Sequence, residues 1–175
     1  ADAALAQAPA PAPGVRQHDG FYLNLDLGGG ALKTSASQGG TDLDLSGGAG
    51  QFSLALGVAL TDNFILAGQI WGATVSDPTV EMNGTELGDA NGTLTLSGIG
   101  VNVVYYFMPI NLYLSATPSI TQLSTESDGS SGETETGFGM RFAVGKEWWV
   151  SDNWAIGLNG QLAFSSNEDQ GTDPP

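Results

Sequence analysis

The chain has 175 residues, of which 26 are glycine and none is cysteine, and it carries Lys+Arg 4 against Asp+Glu 19 for a formal net charge of -15. So few cations give no basic footprint for nucleic-acid phosphates or anionic headgroups, and the missing cysteines exclude disulfides and thiolate metal sites. No apolar run approaches the roughly eighteen residues of a membrane-spanning helix, a test that leaves a spanning β-barrel open, because its strands need only about ten alternating residues each.

Residues 1–19 read as a flexible Ala/Pro-rich leader, the exposed start of a processed chain, with Pro9, Pro11 and Pro13 alternating with alanine. The first strand opens at Phe21, with Phe21, Leu23, Leu25 and Leu27 on one face and Tyr22, Asn24, Asp26 and Gly28 on the other. A long polar loop is expected over residues 33–50, within which Leu43 and Leu45 extend the strands beyond the membrane. The second strand, from Gln51 to Leu60, turns Phe52, Leu54, Leu56, Val58 and Leu60 one way. After a short Thr61-Asp62-Asn63 turn, a third strand runs from Phe64 to Val75, phased with Phe64, Leu66 and Ile70 outward and Gln69 and Trp71 inward. Residues 76–92 read as a second long polar loop.

The fourth strand, Thr93 to Phe107, presents Ile99, Val101, Val103, Tyr105 and Phe107 on one face. Met108-Pro109 makes the next short turn. The fifth strand sets Ile110, Leu112, Leu114, Ala116 and Ile120 against Asn111, Tyr113, Ser115, Thr117 and Ser119, and Pro118 inside it predicts a bulge or an early end to pairing. A third polar loop spans about residues 124–136. The sixth strand points Phe138, Met140, Phe142, Val144 and Trp148 outward, with Gly139, Arg141, Ala143, Gly145 and Glu147 inward. A hairpin through Val150-Ser151-Asp152-Asn153 leads to the seventh, which carries Trp154, Ile156, Leu158, Leu162 and Phe164 on one face and Ala155, Gly157, Asn159, Gln161, Ala163 and Ser165 on the other.

Long polar connections thus alternate with very short turns, the asymmetry of a membrane barrel with long outer loops and short periplasmic turns. Aromatic residues collect beside the short turns: Phe21, Tyr22, Phe64, Tyr105 to Phe107, Trp148, Trp149 and Trp154 form an expected girdle at the interface. One strand face is uniformly apolar and the other is made of Gly, Ala, Ser, Asn and Gln, small groups suited to a narrow interior. A soluble barrel or sandwich alternates in the same way, so the loop asymmetry and the girdle decide the class. The expected fold is all-β, a transmembrane antiparallel up-and-down barrel over residues 20–166, with residues 167–175 starting an outer loop or a disordered tail.

The run Gly145-Lys146-Glu147-Trp148-Trp149-Val150-Ser151-Asp152-Asn153-Trp154 resembles small outer-membrane β-barrel proteins of Gram-negative bacteria, of the broad OmpA/OmpX-like class and of myxobacterial type. The resemblance implies eight strands around a filled interior, whereas seven strands are visible. A closed barrel needs a return strand, because an open edge in lipid leaves backbone groups unsatisfied. The expectation is a separate or cleaved segment that supplies the eighth strand.

Candidate functional residues are few. Asp26, Arg141 and Glu147 are the expected lumen charges, read either as a gate or proton path or as a buried ion pair that plugs the barrel, the narrow interior favouring the plug. Lys146 is expected outward at the interface, its ammonium snorkelling beside the girdle. The acidic residues Asp42, Asp44, Asp77, Glu81, Glu86, Asp89, Asp128, Glu133 and Glu135 show no metal-ligand spacing and read as solvated loop charge. His18 lies in the leader, so a Ser/His/carboxylate hydrolase lacks its base within the barrel. Gly28-Gly29-Gly30 precedes no helix and is no phosphate loop. The reading is a non-enzymatic barrel with no cofactor or metal, working through outer-membrane lipid and lipopolysaccharide, a strand-donating segment, and a protein partner at its outer loops. A narrow pore for small or hydrophobic solutes is the alternative, and an outer-membrane lipid enzyme comes third.

Overall fold

A computed structural model describes His18 and residues 20–127 and 130–167. The expected leader and tail lie almost wholly outside these residues, as does Asp128. Ten strands are described: β1 (Phe21–Gln38), β2 (Thr41–Thr61), β3 (Phe64–Ser76), β4 (Thr79–Met82), β5 (Thr85–Asp89), β6 (Thr93–Phe107), β7 (Leu112–Ser127), β8 (Ser130–Glu133), β9 (Gly137–Trp149) and β10 (Ala155–Ser166). Seven of these, β1, β2, β3, β6, β7, β9 and β10, are long and pair in that order, each antiparallel to the next. The antiparallel, up-and-down all-β architecture is the expected one.

Period-two alternation sets the two faces. Phe21, Leu25, Leu27, Ile99, Leu158 and Leu162 are all more than half exposed, while Ser53, Gln69, Asn102, Thr117, Ser119 and Arg141 are buried. A soluble barrel would reverse this, hiding its aliphatic side chains and wetting its polar ones. The third strand follows its expected phase, with Ile65, Ala67, Gln69, Trp71 and Val75 buried and Leu66 and Ile70 exposed.

The long polar segments are mostly not loops. β1 and β2 run on past the apolar belt and are joined through Gly39 and Gly40, whose φ values of 63° and 84° fit the type I′ turn that matches the twist of paired strands. Residues 76–92 fold largely into a β4–β5 hairpin through Asn83 and Gly84, again both at positive φ, and β4 pairs with β2. β7 extends to Ser127 and takes β8 as a short partner. Once out of the membrane both faces of a hairpin meet water, so these polar segments keep the backbone ladder while losing the apolar alternation.

Pro118 produces neither a bulge nor an early end. The β6–β7 register is the same at Gly100↔Ser119 and Val103↔Ala116, with the two intervening pairs missing, while Pro118 itself stays opposite Met140 on β9. Without an N–H, proline drops out of one ladder locally, and the long strands on both sides hold the register.

The sheet curls but does not close. Among the described residues β1 pairs only with β2 and β10 only with β9, so each keeps one free edge, 18 and 12 residues long. Side chains nevertheless cross the gap, Asn159 Nδ2 on β10 donating to Asp26 Oδ1 on β1 at 2.8 Å.

Candidate functional site

The interior is filled in three tiers. Beside the short turns, Ile65, Val104, Tyr106 and Tyr113 form a buried cluster with Tyr22, Ala59, Met108 and Ala143 packed against it. Tyr106 donates to Glu147 Oε1 at 3.2 Å, and its ring lies 5.4 Å from that of Tyr113. His18 reaches into this tier, its ring centroid 3.8 Å from Tyr106 and 5.1 Å from Trp149, with Nε2 3.0 Å from Asn111 Oδ1. The leader histidine therefore sits at the barrel mouth, stacked on aromatic rings, and not apart from the barrel as its place in the sequence implied.

The middle tier is polar. Asp26 accepts from Ser53 Oγ at 3.0 Å and from Asn159 Nδ2, and Arg141 Nη2 lies 3.7 Å from it. Arg141 also donates to Gln161 Oε1. Gln69 Nε2 donates to Ser53 Oγ at 3.3 Å, and Thr117 Oγ1 donates to Gln69 Oε1 at 2.7 Å. One connected network thus joins β10, β1, β2, β3, β7 and β9, and each buried polar group in it gains a partner that offsets its lost water.

Glycine makes that reach possible. Trp71 on β3 crosses β6 to donate Nε1–H to Ser119 Oγ on β7 at 3.0 Å, passing over Gly98, where a Cβ would stand 2.6 Å from the indole. Tyr113 covers Gly145 in the same way, with a Cβ position 2.5 Å from its ring. The outer tier is apolar: Ala49, Val75 and Leu94 are buried, with Leu32, Leu45, Ala73 and Leu123 against them.

Of the lumen charges, Asp26 and Arg141 meet, while Glu147 stands one tier away with Tyr106. Phe21, Tyr105, Phe107, Trp148 and Trp154 are exposed near the short turns, with Phe64 half-buried in the same ring. Tyr22, Tyr106 and Trp149 do not belong to that lipid-facing ring: Tyr106 is fully buried in the interior cluster, Tyr22 packs on it and Trp149 faces His18. Their strand parity, opposite to Phe21 and Trp148, is the physical reason. Lys146 Nζ donates to the Ile110 carbonyl and lies 5.5 Å from the Trp148 ring centroid, so it braces the β6–β7 turn as well as the interface. Sequence reasoning had no signal for Ser53, Gln69, Thr117 or Ser119 beyond their inward parity. Among the described residues, no cluster of three or more His, Asp or Glu is arranged to hold a metal.

Outside the belt, Lys33 Nζ pairs with Asp44 Oδ2 at 2.9 Å. A hydrogen bond from Ser35, and next the Lys33 ammonium, hold the Asp44 carboxyl below the usual carboxylate range, while Asp44 raises Lys33. Asp42 N donates to Asn83 Oδ1 at 2.9 Å, tying the first hairpin to the second.

An antiparallel sheet that turns its aliphatic side chains outward and packs tyrosines, amides and an ion pair inside defines a transmembrane β-barrel protein. The chain belongs to the outer membrane protein beta-barrel domain family, whose model matches residues 2–172, and the protein resides in the bacterial outer membrane. No curated protein and no solved structure gives a match.

Proposed function

We propose that this protein is a non-enzymatic, non-conducting barrel of the OmpA/OmpX-like class that acts as a structural or interaction element, anchored in outer-membrane lipid and lipopolysaccharide. The observation that carries this reading is the three-tier filling of the interior, above all the Asp26–Arg141 pair tied into Ser53, Gln69, Thr117, Asn159 and Gln161. An ion path needs continuous water, and here the side chains of six strands occupy the same level of the lumen. The outer hairpins support the interaction half of the reading. They are paired strands cross-tied by side chains, a firm acidic platform for a protein partner.

Planar bilayer recording of the purified protein tests the proposal. No stepwise conductance is expected. Reproducible steps that change with Arg141→Ala would replace the plug with the narrow-pore reading.

A further inference from the structure

We propose that the outward face of β6, β7, β9 and β10 holds one glycerophospholipid of the periplasmic leaflet, its acyl chain in a trough that crosses the strands and its phosphate on Lys146. The inference deepens the lipid-anchoring part of the role proposed above. It rests on the outward face alone, so it holds whether or not the lumen conducts.

The trough comes from the register. Tyr105, Leu114, Val144 and Gly160 lie opposite one another across the four strands. Val103, Ala116, Phe142 and Leu162 do the same in the next row, farther from the short turns. Between the two rows the floor is the backbone of Ser115, Ala143 and Gln161, whose side chains turn inward by parity, Ala143 onto the tyrosine cluster and Gln161 onto Arg141. The trough encloses about 690 Å³, a size within the range of small-molecule sites, about 300–1,000 Å³. Gly160 lowers one wall, and a Cβ there would meet nothing within 4 Å. Tyr105 fixes another, its ring set edge-on to Phe107 with centroids 5.1 Å apart and planes at 79°.

Inside a bilayer an acyl chain gains nothing hydrophobic by moving onto protein, since the tails it leaves are as apolar as the side chains it meets. Shape supplies the preference instead. A chain in a trough touches protein beneath it and on both sides, where a chain on a flat belt touches it on one side only, and dispersion sums over those contacts.

Charge then selects the headgroup. Lys146 follows Val144 on the outward face of β9, about 7 Å along the strand toward the short turns, the end that faces the periplasm in this class of barrel. Its ammonium has three N–H donors, of which one goes to the Ile110 carbonyl, and the Trp148 ring centroid lies 5.5 Å away. Among the described residues the other two are left for a phosphate, at the depth of the headgroup whose chain fills the trough. A second copy of the chain fits this face poorly, because a twofold axis along the membrane normal would bring two Lys146 ammoniums to one depth. Lipopolysaccharide occupies the outer leaflet, at the opposite end of these strands.

The test carries the full chain in nanodiscs of phosphatidylethanolamine and phosphatidylglycerol into non-denaturing mass spectrometry and counts the lipids that stay bound. A single phospholipid per chain should survive. Gly160→Phe, which fills the trough from a position with open space above it, should lose that lipid, whereas Ile70→Phe, the same ring on the exposed face of β3, should keep it. Lys146→Gln should weaken retention about fivefold, and Lys146→Arg should restore it. In nanodiscs doped with a phospholipid carrying a nitroxide at mid-chain, the Ala116 and Gly160 amides should broaden more than those of Leu66 and Ile70, and Gly160→Phe should remove the excess at Ala116 while the remaining spectrum reports a folded barrel. None of these variants touches the lumen, so conductance recordings judge the plug separately. Equal retention by Gly160→Phe, retention indifferent to Lys146→Gln, equal retention of the uncharged detergent dodecyl maltoside, selective retention of lipopolysaccharide, or a dimer formed through this face in place of bound lipid would each overturn the proposal.

Discussion

Replacing Asp26 with asparagine keeps the shape of the side chain and removes its charge, leaving the Arg141 guanidinium, 7% exposed, without its counterion. At 3.7 Å the direct attraction is about 4.5 kcal/mol for an effective dielectric near 20, much of it offset in the native protein by desolvation. Arginine cannot escape by losing its proton, so Asp26→Asn is expected to cost about 3–5 kcal/mol. The reverse change is cheaper. Arg141→Met leaves Asp26, 20% exposed, with hydrogen bonds from Ser53 and Asn159, for a cost of about 1–3 kcal/mol. Removing both charges relieves the stranded guanidinium, and the double variant should be more stable than Asp26→Asn alone. Urea unfolding in lipid vesicles, followed by tryptophan fluorescence, measures all three. Equal costs for the two single changes, or a double variant whose cost equals their sum within about 0.5 kcal/mol, would refute the idea that Asp26 is the counterion that keeps Arg141 buried.

The glycines beneath Trp71 and Tyr113 give a second expectation: Gly98→Ala drives a Cβ into Trp71 and Gly145→Ala drives one into Tyr113, each costing about 1–3 kcal/mol in the same unfolding assay, whereas Gly48→Ala meets open space and should stay within about 0.5 kcal/mol. For the outer hairpin, a carboxylate held low in the folded state stabilises above its unfolded pKa and loses that contribution as pH falls through the folded value, while a raised lysine acts until pH climbs through its folded value. The Lys33–Asp44 pair should therefore persist from about pH 4 to about pH 10. In an NMR titration Asp44 should rise toward the ordinary range in Ser35→Ala and in Lys33→Met alike. His18→Ala removes a ring stacked on Tyr106 and should lower stability by about 1 kcal/mol; an unchanged urea midpoint would show that this contact adds nothing.

The membrane-spanning part of the fold was legible because lipid and lumen demand opposite side chains at successive residues, so alternation from Gln51 to Leu60 or from Phe138 to Trp148 states which face is which. The outer hairpins were less so, since water on both faces removes that contrast. Their turns were nevertheless written in Gly39-Gly40 and Asn83-Gly84, dipeptides that accept positive φ, and weighing them above composition would have found β4 and β5. Aromatic density beside a turn located a height but not a side, and parity alone separated Tyr22 and Trp149 from Phe21 and Trp148. His18 stands before the first strand and belongs to no periodic pattern, so its docking onto Tyr106 could only come from three-dimensional packing. The Asp26–Arg141 pair was expected as a pairing of inward charges; the amides and hydroxyls that complete it came from strand curvature, which no pairwise pattern encodes.

The order of the long strands also bears on how quickly the protein acquires and loses its structure. Each pairs with the long strand next along the chain, so the sheet can grow hairpin by hairpin with only short loops to close. The contacts of Asp26 with Arg141 and with Asn159 instead join the first long strand to the last two, the latter spanning 133 positions of sequence. Contacts so distant in sequence form after the hairpins that carry them, which places them late on the folding route. Weakening them should accelerate unfolding and leave the folding rate nearly untouched: the first and last long strands act less as a nucleus than as a latch on a sheet already built.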